Sequence, residues 1–598
     1  MRQFFKQTFA SLVGTILGIS LLGVLGASSL VVLLIAAVAN EEEPSIGDKS
    51  VLVFDLSQAI SDTEPTVNLT QALSENIPNT LPLRRVVEAI DKARQDDRIV
   101  ALFLDGSQGS NSTGYATLSE VRKALQRFRD SGKRIIAYDV DLSEKDYYLG
   151  SIADTVIINP MGAVELNGLS SQQVFFAGAL EKFGVGVQIV RVGQYKAAVE
   201  PFIQEELSPE NRQQIANLLN DVWGQFLTDV SASRNLNNAQ LQAIANNQGI
   251  LLPDEALNAK LIDRVAYWDE VVTDLKELTD KKESDRTFRK VSLRRYLDIP
   301  VEAVDRDSDN KIAVVYAEGQ IVSGGGDVGQ IGSDRLRQEL RDLREDEDVK
   351  SVVLRINSPG GSATASELIL RELNLLAAEK PVVVSMGNTA ASGGYWIATG
   401  AQYIFAEANT ITGSIGVFGI LPNIAEISAE NGITWDSVKT NTFADLEAIN
   451  RPKTPEEMAL YQRLVNKIYN QFLDKVATAR NLPRNQVAEI AQGRVWSGID
   501  AKQVGLVDEI GGLESAIAHA ANIAELGEDW EVQELLKEGD FEDQIIRILS
   551  EQTQVENLVT PDPLTQEFVK FKDDLSILKA LTDPRGIYAL LPFDLEVK

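Results

Sequence analysis

The stretch Pro381–Ala398, PVVVSMGNTAASGGYWIA, decides how the rest of the chain is read. Its apolar half has the composition of a buried strand. A turn of small residues follows, and Ser392 stands where a helix begins. Strand, tight turn, serine and helix form a known way of exposing a nucleophilic hydroxyl. The alternative is a small residue required where the helix packs closely on the strand. A nucleophilic serine needs a proton acceptor, and the chain holds a single histidine and no cysteine. His519 lies among alanines and isoleucines at helical spacing, which reads as a packing residue.

Working outward, the chain repeats itself. QFLTDVSASRNL (Gln225–Leu236) and QFLDKVATARNL (Gln471–Leu482) are identical at seven of twelve positions. RIVALFLDGSQGS (Arg98–Ser110) runs parallel to KSVVLRINSPGGS (Lys350–Ser362), and YYLGSIADTVII (Tyr147–Ile158) matches YWIATGAQYIFA (Tyr395–Ala406) in pattern. The matches keep the same order, so we read a tandem duplication. One copy covers residues 49–278, the other residues 311–526. A charged linker, residues 279–310, joins them, and an acidic extension, residues 527–598, follows. Within each copy β-rich runs alternate with amphipathic segments, which predicts an α/β fold with parallel strands and crossover helices.

The two copies differ where chemistry is expected. Aligning Tyr147 with Tyr395 pairs Ser392 with Glu144, and pairs Lys196 with Ala444. Each copy keeps one candidate group and lacks the other, which suggests a composite site built from Ser392 and Lys196. A lysine amine is ordinarily protonated at neutral pH. Burial in an apolar cleft disfavours its charged form and makes it a usable base. On its own Lys196 would read as a surface residue; the complementary loss is what singles it out. Acyl transfer further needs donors for the oxyanion. Gly360 and Gly361 in INSPGGSA and Gly393 beside the serine are candidates, although a plain Pro-Gly turn accounts for the first two. Ser414, in TITGSIGV, is placed to orient the lysine, or is a turn hydroxyl.

Composition narrows the function classes. The 598 residues carry a formal charge of −30, which disfavours binding to nucleic acid. Without cysteine there are no disulfides, thiol nucleophiles or thiolate metal sites. No charged residue lies between Lys6 and Glu41, a run long enough to cross a bilayer. Arg2 and Lys6 precede it, so residues 1–48 are expected to be a single-pass membrane anchor with the body on the extracytoplasmic side. A cleaved signal peptide, ending at Ala37–Ala39, is the alternative.

Together NSPGGSATASE, TAASGGYWIA, TGSIGV and VGQYKAAVEPF resemble the signal peptide peptidase A family, in its long membrane-anchored form known as protease IV. The resemblance runs from the anchor to about residue 526. It implies a tandem Clp protease/crotonase-like β-α superhelix and a serine protease with Ser392 as nucleophile, Lys196 as general base and Ser414 orienting the lysine. It also implies signal-peptide remnants and other apolar peptides as substrates, no metal or cofactor, and a homotetramer. The acidic composition suits a photosynthetic bacterium and a thylakoid-associated enzyme. Two other readings are a crotonase-like acyl-CoA enzyme and a catalytically silent membrane scaffold.

Overall fold

Two parallel sheets with the same strand order organise the chain. The computed structural model describes residues 46–63, 80–109, 112–297, 299, 308–535 and 586–591. In the N-terminal sheet the order is Arg264–Val265, Thr155–Ile158, Arg134–Asp139, Ile99–Asp105, Ser50–Asp55 and Lys290–Ser292. In the C-terminal sheet it is Glu509–Ile510, Tyr403–Ala406, Val382–Ala391, Val349–Ser358, Lys311–Glu318 and Glu531–Leu535, with Ile411–Gly413 and, antiparallel to it, Val495–Ser497 branching from Val382–Ala391. Parallel neighbours require crossovers, and amphipathic helices supply them. Leu83–Gln95 turns Val86, Val87, Ile90 and Ala93 to the core of its copy, and Ala363–Ala377 does the same with Ile369, Leu370, Leu373 and Leu376. The expected α/β duplication is therefore seen strand for strand.

Equivalent hydrogen bonds fix the correspondence. The hydroxyl of Tyr147 donates to the Leu261 carbonyl at 2.8 Å, and that of Tyr395 donates to the Leu506 carbonyl at 2.8 Å. Asp263 accepts from the Val156 N–H while paired to Arg234; Asp508 accepts from the Ile404 N–H while paired to Arg480. The long helices Pro209–Arg234 and Pro455–Ala479 open alike, on the caps Ser208 and Thr454 with proline at the first position.

Two boundaries shift. The 279–310 stretch expected as a linker contributes the edge strand Lys290–Ser292 and the helix Leu293–Leu297 to the N-terminal sheet. A three-residue strand flanked by charge left no readable periodicity. Likewise Glu531–Leu535, placed in the extension, is the matching edge strand of the second copy. The expected anchor lies outside the described residues, apart from residues 46–48. Among the described residues no helix is long and apolar enough to cross a membrane.

A third sheet ties the copies together. Its order is Gln330–Gly332, Gln320–Val322, Gly360–Ser362, Ile587–Leu590, Val417–Asn423 and Gly186–Val192. The last two strands come from different copies and pair antiparallel over seven residues, from Val417↔Val192 to Asn423↔Gly186. A buried ion cluster makes a second junction. Fully buried Arg355 reaches Asp62 at 2.8 Å and Glu120 at 2.7 Å, both from the N-terminal copy, and Ser385 at 2.8 Å. Burial pushes the Asp62 carboxyl up and Arg355 pulls against it.

Removing one partner of such a cluster leaves an uncompensated buried charge, at a cost of roughly 3–5 kcal/mol. Arg355→Met is therefore expected to lower unfolding stability by about that amount, read as a reduced urea midpoint. Adding Asp62→Asn and Glu120→Gln should recover most of it. A single variant of wild-type stability would show that the cluster does not hold the copies together.

Candidate active site

The interdomain strand pair delivers Lys196 to Ser392. Gly186–Val192 ends four residues before Lys196, and the turn between is pinned where the Tyr195 N–H donates to the Gln492 carbonyl at 2.9 Å. Lys196 Nζ then lies 2.8 Å from Ser392 Oγ, 2.9 Å from Ser414 Oγ and 3.1 Å from the Ser414 carbonyl oxygen. Lys196, Ser392 and Ser414 are all 0% exposed. Burial holds the amine well below the ordinary lysine value, and no carboxylate opposes that shift. A neutral amine has two N–H donors and one lone pair. With the donors directed to the Ser414 carbonyl and hydroxyl, the lone pair is left for the Ser392 hydroxyl.

The serine's placement is local backbone chemistry. Ser392 has φ 55° and ψ −110°, and Ser414 has φ 51°, conformations uncommon for residues with a Cβ. Ser392 is held there because its N–H donates to the Gly413 carbonyl at 2.8 Å and its carbonyl accepts from the Trp396 N–H at 2.8 Å. The surrounding core, with Tyr395, Trp396 and Ile397 buried, leaves the turn no room to relax.

The N–H of Gly360 donates to the Ser358 hydroxyl at 3.1 Å, so it is engaged within its own turn. Its positive φ of 100° lets the chain turn there. Gly361 lies in the strand Gly360–Ser362, and Gly393 opens the helix that follows Ser392. A Cβ on Gly360 would come within 2.6 Å of the Gly393 nitrogen, which measures how closely these segments approach.

Two glycines in this site escaped the sequence reading. A Cβ on Gly493 would lie 2.6 Å from the Lys196 Cβ, and one on Gly416 would lie 3.0 Å from its Cδ. They form the slot that admits the lysine stem. Gly493 has φ 76°, yet AQGRVW carries no motif that would have marked it. Glu144 takes the Ser392 position in the N-terminal copy as aligned. Its carboxylate accepts from the Asn167 and Gly168 N–H groups, at 2.7 Å each, and burial raises it to about 7. His519 packs on Tyr403 and Phe405, as expected for a packing residue.

Comparison with known proteins identifies the family. Residues 127–282 and 374–527 match peptidase family S49, one segment in each copy, and residues 305–411 match Clp protease. The chain is 34% identical to "Protease 4" of Haemophilus influenzae over 93% of its own length and 94% of that protein. It is 34% identical to "Serine protease SPPA, chloroplastic" of Arabidopsis thaliana over 80% of its length and 69% of that protein. It is 33% identical to a "Putative signal peptide peptidase SppA" of Enterococcus faecium over 37% of its length and 66% of that protein.

The buried amine has a measurable cost. Its folded value is lowered, so between that value and about 10.4 the unfolded chain holds the extra proton. Stability therefore falls as pH drops through that window, by up to about 1.4 kcal/mol per pH unit for this one group. Lys196→Met is expected to be more stable than the parent at pH 7 and to lose that part of the slope. Equal stability of the two proteins from pH 7 to 10 would show that the amine stays charged when buried.

Proposed function

The chain belongs to peptidase family S49 and is a serine protease, and we propose that it is a Ser-Lys endopeptidase cutting apolar peptides, signal-peptide remnants among them. The 2.8 Å approach of Lys196 Nζ to Ser392 Oγ carries this reading. Ser392 Oγ attacks the scissile carbonyl and its proton passes to the Lys196 amine. The Gly361 and Gly393 N–H groups stabilise the oxyanion. Lys196 returns the proton to the departing amine, and water then hydrolyses the ester on Ser392. Ser414 is a positioning residue, because its hydroxyl and carbonyl hold the lysine amine. No step calls for a metal or cofactor.

The substrate class follows from the slot. In the third sheet Gly360–Ser362 and Val417–Asn423 flank the chain's own strand Ile587–Leu590, and an extended peptide taking that strand's place would be held by the same backbone pairing. Val199, Phe202, Phe418 and Ile420 give it an apolar wall. Residues 1–48 would hold the enzyme at a membrane with its body on the extracytoplasmic side, a reading supported by their uncharged apolar run. A thylakoid setting belongs to the same proposal and rests on the acidic composition.

Assembly into a homotetramer has support in the duplication itself. Gly186–Val192 of the first copy pairs with Val417–Asn423 of the second. By the alignment, residues 434–440 and 169–175 are the counterparts of those strands, and neither is in a sheet among the described residues. Exposed Ile433, Trp435 and Val438 on one side and Val174 on the other suit a second copy. Such head-to-tail contact closes into a ring when the rotation between neighbours divides a full turn.

Casein cleavage is expected to fall to background in both Ser392→Ala and Lys196→Ala, and the parent rate to climb with pH as Lys196 loses its proton. Gly493→Ala, which crowds the lysine, should lose about 100-fold. Parent-like cleavage by either dyad variant would sink the mechanism. Trp435→Asp with Val438→Asp is expected to shift the mass in light scattering from tetramer to smaller species; an unchanged tetramer would place the contact elsewhere.

A further inference from the structure

One turn past Lys196 stands a buried carboxylate that the mechanism leaves unused. Glu200 is 1% exposed. A carboxylate out of water is costly unless donors surround it, and here they do. Its Oε1 accepts from the Ser208 hydroxyl at 2.6 Å, and its Oε2 accepts from the Asn211 side-chain amide at 2.9 Å and from the Ser208 N–H at 3.3 Å. Arg191, on the strand that leads to the lysine, stands 4.0 Å away.

From Glu200 the hydrogen bonds run toward the dyad. The Asn211 amide nitrogen faces the carboxylate, so its Oδ1 is left to accept from Gln214 Nε2 at 3.0 Å. Gln214 Nε2 also donates to the Tyr195 carbonyl at 3.1 Å, and its Oε1 accepts from the Val495 N–H at 3.2 Å. Both amides are buried. Turned end for end, the Gln214 amide would set oxygen against oxygen at Tyr195 and N–H against N–H at Val495. Tyr195 precedes Lys196 in the chain. Val495 lies opposite Gly413, whose carbonyl accepts from the Ser392 N–H, and the carbonyl of its neighbour Arg494 accepts from the Ser414 N–H at 2.7 Å. Gln214 thus bridges the lysine turn of one copy and the serine turns of the other.

Packing alone does not call for these groups. The helix Pro209–Arg234 already meets the second copy through Ile215 and Leu218, which pack with Ala391 and Val495. Matching the helix caps Ser208 and Thr454 sets Glu457 against Asn211 and Leu460 against Gln214. The copy that supplies the lysine carries the two amides, and the copy that lacks it has a leucine in the place of Gln214.

We propose that Gln214 is a positioning residue for the dyad, oriented by Glu200 through Asn211, and that it sets the separation of Lys196 from Ser392 and Ser414. This rests on the Ser-Lys reading above. Without the bridge the lysine turn can draw back from the serine, and a displacement of about 1 Å costs about 100-fold in rate. Gln214 acts through backbone groups of Tyr195 and Val495, so the loss falls on turnover and not on peptide binding.

Steady-state cleavage of a fluorogenic apolar peptide tests this, with active sites counted by complete fluorophosphonate labelling of Ser392 so that unfolded protein does not enter the rate. Gln214→Met keeps the volume without donor or acceptor, and its kcat is expected to fall about 100-fold at unchanged KM. Glu200→Gln keeps the shape but lets the Asn211 amide turn, and should lose less, again in kcat alone. The double variant should be no slower than Gln214→Met, because both changes act on one bridge. Parent-like kcat in Gln214→Met, beside an inactive Lys196→Ala, overturns the proposal and leaves the Ser-Lys reading standing. Parent-like kcat in Glu200→Gln overturns it as well, whether or not Gln214→Met folds. So does a loss confined to KM, or losses that multiply in the double variant. Cleavage at the parent rate by Lys196→Ala overturns both readings.

Discussion

A lysine amine kept dry is the constraint on which the rest of this structure depends. Removing Lys196 from water disfavours its charge, and only a site with no carboxylate nearby and two acceptors from Ser414 leaves a lone pair for Ser392. Such a site cannot be assembled at a surface. It needs walls from more than one direction, and the chain supplies them from two copies of one fold. Gly416 and Gly493 give up side chains so that the stem can pass, and the strand Gly186–Val192 sets its direction.

Duplication explains why one polypeptide suffices. Each copy retains the sheet, the crossover helices and the tyrosine and aspartate bonds that pin them. Freed from carrying a whole site, each could lose half of it. The N-terminal copy fills the serine's place with Glu144, whose carboxylate is tied to two backbone N–H groups. The Arg355 cluster and the third sheet hold the halves in the register that the 2.8 Å contact requires. A small rotation between copies would separate the amine from the hydroxyl.

Much of this was legible before any coordinates. The strand–turn–helix around Ser392 has a local signature, and the repeat is visible because the two copies still share residues such as Arg234 and Arg480. Lys196 became readable only through comparison of the copies, since nothing local distinguishes it from a surface lysine. What stayed hidden is non-local. Gly493 matters because of a side chain nearly three hundred residues away in sequence, and the Gly360 N–H meets a hydroxyl in its own turn. The edge strands Lys290–Ser292 and Glu531–Leu535 are too short for a period to show. The tail strand Ile587–Leu590 is apolar for four residues and gives no hint of which edge it joins.

The central claim is that one catalytic unit spans the two copies. Its most direct test is the rate at which a fluorophosphonate labels Ser392, followed by peptide mapping from pH 6 to 10, in the parent and in Lys196→Met. The account predicts a label on Ser392 alone, forming faster as pH rises, and none above background in the variant. Labelling of Ser392 at the parent rate without Lys196 would contradict it.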